Sequence, residues 1–114
     1  MPGLVFLGTQ DLDGMKDFYT KEMKMVIWLE QAECFIVKHG NLLLGFCQRK
    51  EPDTQGIITL FFNTNEEVDN FYEKFKDIAD GAPKINERYM IYHFYAKDPD
   101  GRAIEFQYFW DIIG

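Results

Sequence analysis

The chain contains no serine, which excludes hydrolases built on a serine nucleophile. It has only two cysteines, Cys34 and Cys47, and two histidines, His39 and His93. That is too few, too widely spaced, for a Cys-x-x-Cys zinc site or a disulfide scaffold. In a reducing compartment the two cysteines are expected as free buried thiols, with a cross-strand redox pair as the alternative. No run of Lys and Arg occurs, and 12 basic against 19 acidic residues leave a formal net charge of −7. Clustered cations are what grip a phosphate backbone, so nucleic acid is not an expected partner. An acidic surface is repelled by anionic lipid. The longest apolar stretches, such as Leu42–Leu44 and Ile57–Phe62, fall far short of the ~20 residues that span a bilayer, so no membrane partner is expected either. Met1-Pro2-Gly3-Leu4 lacks the basic start and apolar stretch of a signal peptide, which makes the cytoplasm the expected compartment. A glycine-rich phosphate loop is also missing.

What the chain does have is aromatic weight: 11 Phe, 6 Tyr and 2 Trp in 114 residues. Such a composition builds a packed core and suits one domain, residues 1–114. The domain is internally repeated. Val5-Phe6-Leu7-Gly8 precedes Asp17-Phe18-Tyr19-Thr20-Lys21, and Ile58-Thr59-Leu60-Phe61 precedes Asn70-Phe71-Tyr72-Glu73-Lys74, at an offset of 53 residues. Each half reads as strand, turn, amphipathic helix and further strands, in modules of about 1–50 and 55–110. In the second helix Thr64 and Glu67 form a capping box. Val68, Phe71, Tyr72, Phe75 and Ile78 make an apolar stripe at helical spacing. The first helix starts after Asp11 or Asp13, with Gly14 weakening its first turn, and presents Met15, Phe18, Tyr19 and Met23. Phe18 and Phe71 are expected at equivalent buried positions.

Two hairpins fix strand register. Gly40-Asn41 between Cys34–Lys38 and Leu42–Gln48 is a two-residue loop, which sets Phe35 opposite Phe46, Val37 opposite Leu44 and Cys34 opposite Cys47. Asp98-Pro99-Asp100-Gly101 is a type I turn with a Gly bulge, which sets Tyr95 opposite Glu105 and His93 opposite Gln107. Further strands are expected at Met25–Glu30, near Pro83–Asn86, at Tyr89–Ala96 and at Ala103–Tyr108. The apolar tail around Trp110, Ile112 and Ile113 is expected to dock.

Asp11-Leu12-Asp13 with Phe18-Tyr19-Thr20, followed by Asp98-Pro99-Asp100-Gly101-Arg102-Ala103-Ile104-Glu105-Phe106, resembles the vicinal oxygen chelate superfamily of glyoxalases, bleomycin-resistance proteins and extradiol dioxygenases. The resemblance runs from about Leu4 to Tyr108. It implies an α+β fold of two βαβββ modules whose curved mixed sheets surround a cup, and a homodimer. In metal-using relatives, four side chains from the first and last strands of each module hold a divalent ion. Those positions fall at Leu4, Ile57, near Leu44 and at Glu105, and only Glu105 can ligate. One carboxylate does not hold a hard divalent ion, so neither metal nor other cofactor is expected.

Alternation from Glu105 assigns the cup. Leu4, Phe6, Gly8, Ile57, Thr59 and Phe61 join it from the first strands. Phe35, Val37, Leu44 and Phe46 come from the cysteine hairpin, and His93, Tyr95, Ala103 and Gln107 from the last hairpin. Val5, Leu7, Ile58, Leu60, Ile104 and Phe106 are assigned to the helix side. The expected ligand site is Glu105, Tyr95, Phe6, Thr59, Phe35, Phe46 and Gln107, holding a small aromatic or amphipathic molecule. Glu105 would orient the ligand through a charge-assisted hydrogen bond. A first alternative is a lyase, isomerase or dioxygenase using Glu105 with atypical metal ligands, where Glu105, His93 and Tyr95 are the catalytic candidates. A second is a non-catalytic dimeric interaction protein with filled cups.

Overall fold

Strand, helix and three more strands follow one another twice along the chain, over residues 3–110 that the computed structural model describes. In order they are β1 (Leu4–Thr9), α1 (Leu12–Asp17) running into a π-helical turn (Phe18–Glu22), β2 (Val26–Gln31), β3 (Cys34–His39) and β4 (Leu42–Gln48); then β5 (Ile57–Phe62), α2 (Asn65–Phe75), β6 (Lys84–Asn86), β7 (Ile91–Lys97) and β8 (Ala103–Phe109). This α+β arrangement gives two four-stranded mixed sheets, ordered β1-β4-β3-β2 and β5-β8-β7-β6. The strands flanking each helix end up in one sheet, and the outer pairs β1–β4 and β5–β8 are parallel while every other pair is antiparallel. No helix among the described residues is long and apolar enough to cross a membrane. Ile112 and Ile113, expected in a docked tail, lie outside the described residues. Trp110 is exposed, and its backbone N–H donates to the Met90 carbonyl at 3.2 Å.

The described chain divides into two units: residues up to 54 with 98–100, and residues 55–97 with 101–110. In the first unit Asp11 caps α1, accepting the Gly14 N–H at 3.0 Å. A Cβ on Gly14 would lie 2.2 Å from Asp11 Oδ2, so the glycine that weakens the helix by propensity is what lets the cap approach. The π-helical turn then puts Tyr19, rather than Phe18, fully inside. Tyr19 packs on Phe46 at 4.7 Å, Phe46 stacks on Phe35 at 5.3 Å, and Tyr19 donates its hydroxyl to Asp98 Oδ2 at 2.7 Å. Asp98 in turn takes the Asp100 N–H on its other oxygen, so the buried aspartate shapes the turn and anchors the helix.

In the second unit Thr64 caps α2 through the Glu67 N–H, as the capping box requires. Phe71 and Phe75 pack on Phe106, which also stacks on Phe94 at 4.7 Å. Phe18 and Phe71 are both half-buried rather than buried. Ile78 is 41 % exposed because α2 ends at Phe75, short of the predicted end of the stripe.

Both predicted registers hold. Cys34 lies opposite Cys47, Phe35 opposite Phe46 and Val37 opposite Leu44, around a loop whose Gly40 has φ +57°. Tyr95 lies opposite Glu105 and His93 opposite Gln107, after Gly101 at φ +86°. The thiols are not free: Cys34 and Cys47 are joined as a disulfide, their Cα atoms 4.1 Å apart. Directly opposed positions on neighbouring strands bring the two sulfurs together. Tyr19→Phe is expected to cost about 1.5–3 kcal/mol of stability, the worth of a hydrogen bond to a charged group. Urea unfolding tests this, and an unchanged midpoint would show that the Tyr19–Asp98 bond contributes nothing.

Candidate functional site

Glu105 is a carboxylate in the middle of a sheet, only 6 % exposed. Its neighbours follow from pairing. The parallel register of β5 and β8 sets Thr59 opposite Glu105, and the antiparallel register of β7 and β8 sets Tyr95 there from the other side. All face away from α2, because Phe106, at the opposite parity, faces that helix. Thr59 Oγ1 donates to Glu105 Oε1 at 2.9 Å, and His93 Nδ1 lies 2.7 Å from Glu105 Oε2. Burial pushes the carboxyl up, but hydrogen bonds from Gln107, His93 and Thr59, with the nearby imidazole, outweigh it and hold Glu105 below the ordinary carboxylate value. An ionised carboxylate only accepts, so His93 Nδ1 carries the proton it shares with Glu105. Burial raises the Tyr95 phenol, and the charge of Glu105 and a hydrogen bond to it add to the rise. The His93 and Tyr95 rings meet edge-on, 5.3 Å apart.

This polar centre forms part of the wall of an open depression of about 350 Å³, shared with Asn86, Tyr89, Ile91 and Phe109. Gln107 lines it too, and its Oε1 is buried without a hydrogen-bond partner. Of the residues expected at the site, Glu105, Tyr95, Thr59, Gln107 and His93 are therefore brought together on one sheet. Ile91 and Phe109 were missed although they continue the alternation of His93–Tyr95 and Glu105–Gln107 by one more step. Asn86 faces Ile91 across β6–β7 and accepts the Tyr89 N–H at 3.3 Å. That short strand and its loop have no periodic signal.

The cysteine hairpin has the opposite parity to the one expected. Parallel pairing sets Phe6 opposite Gly45 and Leu7 opposite Phe46. Phe46 and Phe35 consequently turn to the helix side against Tyr19 and are core, not ligand-binding, residues. Val37 and Leu44 share their parity and are likewise buried. A one-residue choice of register decides the face of every side chain on a strand, and hairpin geometry leaves it open. By the same pairing Cys34 and Cys47 share the face of Phe6 and Gly8, where they border a second depression with Gln31, Arg49 and Asp53. In the first unit Gly45 holds the place that Glu105 holds in the second, since Phe6 pairs with Gly45 as Thr59 pairs with Glu105. The Phe6 ring covers it: a Cβ on Gly45 would lie 2.4 Å from Phe6 Cδ1.

The donor chemistry does not fit a four-ligand divalent cation. Leu4, Ile57 and either Leu44 or Gly45 supply no donor side chain at the positions matched to Glu105, and no group of three His, Cys, Asp or Glu side chains able to hold a metal occurs among the described residues.

Solved structures with this fold cover nearly the whole chain. A lactoylglutathione lyase from Agrobacterium tumefaciens is 19 % identical with a TM-score of 0.79, over 98 % of this chain and 97 % of that one. A glyoxalase/bleomycin resistance protein/dioxygenase from Alicyclobacillus acidocaldarius is 19 % identical with a TM-score of 0.78, over 97 % and 92 %. A glyoxalase/bleomycin resistance protein/dioxygenase family enzyme from Burkholderia phytofirmans PsJN is 15 % identical with a TM-score of 0.80, over 93 % and 96 %. No protein-family model and no curated protein matches the sequence. The fold is that of these glyoxalase/bleomycin-resistance/dioxygenase structures.

Because the folded-state pKa of Glu105 is depressed, its charge stabilises the protein fully above the ordinary value of 4.5, and that contribution is lost as pH falls through the lower folded value. The stability gap between the wild type and Glu105→Gln is expected to be constant from neutral pH to about pH 5 and to shrink below it. Urea midpoints of both proteins against pH measure this. A gap that widens with acid would reverse the assigned shift.

Proposed function

We propose that the second unit binds a small aromatic or amphipathic molecule against its open sheet face, around Glu105, without a divalent metal. The observation that carries this reading is a depression in which the Glu105–His93 pair sits beside Tyr89, Ile91, Tyr95 and Phe109. Small-molecule sites combine apolar walls with a few placed polar groups in this way. Tyr89, Ile91 and Phe109 supply the apolar surface, and Phe61 extends it, edge-on to Phe109 at 5.7 Å. Burial of that surface provides most of the affinity, at roughly 25 cal/mol per Å². The first unit is not the binding half, because Phe6 occupies the place over Gly45. We expect the protein to act in the cytoplasm as a homodimer.

Native mass spectrometry of protein purified without denaturation, and thermal shift against a diverse small-molecule panel, test the reading. Aromatic amphiphiles are expected among the stabilisers, and Glu105→Gln is expected to weaken them by about 1.5–3 kcal/mol. Unchanged affinity would remove Glu105 from the site. Elemental analysis is expected to find no stoichiometric nickel, zinc, manganese or iron. Finding one would overturn the metal-free reading in favour of metal-assisted chemistry. Sedimentation equilibrium at micromolar concentration is expected to give a dimer mass, and a monomer would defeat the assembly.

A further inference from the structure

The disulfide lies in the first unit, away from the Glu105 depression, and the sheet sets its surroundings. Gly8, Cys47, Cys34 and Gln31 stand directly opposite one another across β1, β4, β3 and β2, in one row on one face. Beside that row the Gln48 N–H donates to the Glu33 carbonyl at 2.8 Å. Cys34 and Cys47 are therefore a non-hydrogen-bonded pair, the kind whose side chains stand closest. The S–S bond runs across the strands, with Gly8 beyond Cys47 at one end and Gln31 beyond Cys34 at the other. The two ends differ. A Cβ on Gly8 would lie 3.0 Å from Arg49 Cγ and 3.1 Å from Asp53 Oδ2, so the space in line with Cys47 is filled. Asp53 is fixed there by accepting the Gly8 N–H at 2.7 Å. At the other end Gln31, Ala32 and Glu33 are all exposed and make the turn from β2 to β3. Cys47 is 6 % exposed, whereas Cys34 is half-buried. Both border the depression of about 380 Å³.

Thiol–disulfide exchange depends on which sulfur an incoming thiolate can reach, in line with the bond it breaks. We infer that this disulfide is a reactive site for low-molecular-weight thiols, attacked at Cys34 from the Gln31 end, with Cys47 as the leaving and resolving sulfur. A thiolate RS⁻ bonds to Cys34 Sγ as the Cys34–Cys47 bond breaks, and Cys47 leaves as a thiolate that takes a proton from water. A second thiolate attacks the R sulfur of the mixed disulfide and releases RSSR and the Cys34 thiolate. Two thiols are oxidised and one protein disulfide is reduced, by two electrons. The strands do not depend on the bond. β3 and β4 stay paired from Phe35–Phe46 to His39–Leu42, and each has a further strand on its other side. On the opposite face Phe46 stacks on Phe35 and packs against Tyr19. Opening the disulfide removes a cross-link from the unfolded chain but no contact that holds these strands, so exchange proceeds from the folded protein.

Treating the oxidised full chain with 2-mercaptoethanol, trapping free thiols with N-ethylmaleimide and reading tryptic peptides by mass spectrometry tests it. Cleavage after Lys38 separates the two cysteines. The mercaptoethanol adduct is expected on Cys34 and the maleimide on Cys47, in at least about tenfold excess over the reverse pattern. Reduction is expected to be first order in thiol and to retain the dispersed NMR spectrum of the folded chain. Cys47→Ala is expected to take up a stable mixed disulfide at Cys34 from hydroxyethyl disulfide, at least about tenfold faster than Cys34→Ala takes one up at Cys47. An adduct divided equally, or mainly on Cys47, overturns the assignment of Cys34. A reduction rate that is independent of thiol concentration and equal to that of global unfolding overturns the exchange site and makes the bond a structural cross-link. Should either alanine variant not fold, the wild-type adduct ratio and thiol dependence decide.

Discussion

A carboxylate placed in the middle of a sheet keeps its charge only where donors replace the water it has lost. Glu105 imposes that requirement on the whole second unit. Three elements answer it: β5 with Thr59, β7 with His93, and the turn at Gly101 that sets the register of the last two strands. If β5 paired with β8 one residue out of step, Thr59 would face α2 and one donor would be lost to the core. Polar satisfaction and the apolar packing of Phe71, Phe75, Phe94 and Phe106 on the other face therefore demand the same register. That agreement between the two faces of one sheet singles out one pairing.

The two units show what happens to one βαβββ plan with and without that requirement. In the first, the position of Glu105 is a glycine, and an aromatic ring from the neighbouring strand lies across it. In the second, the neighbouring strand supplies a threonine hydroxyl instead of a ring. A duplicated backbone thus carries a filled face in one copy and a polar centre in the other. The first unit spends its buried polar contact elsewhere, on Tyr19 and Asp98, where it ties the helix to the turn.

An isolated buried carboxylate would seek a cation or a proton. Here Thr59 and His93 supply hydrogen bonds to it instead. The apolar wall made by Tyr89, Ile91 and Phe109 contributes area and little discrimination, since burial is non-directional.

Much of this was legible in the sequence, because the information is local. The repeat at 53 residues, the Gly40-Asn41 and Asp98-Pro99-Asp100-Gly101 turns and the capping box each lie within a few neighbouring residues, and short-range turn chemistry sets cross-strand partners. Glu105 with Tyr95 and His93 with Gln107 follow from a turn alone. What sequence could not determine is how a hairpin meets a strand forty residues away. Which face Phe35 and Phe46 occupy depends on whether Phe6 pairs with Gly45 or with its neighbour, and both choices satisfy the same alternating pattern. Only the close approach of the Phe6 ring over a residue without a side chain, and the room for Tyr19 against Phe46, select one. The same long-range pairing turned the cysteines toward the open face. Composition and periodicity report which residues alternate; tertiary packing decides which face they take.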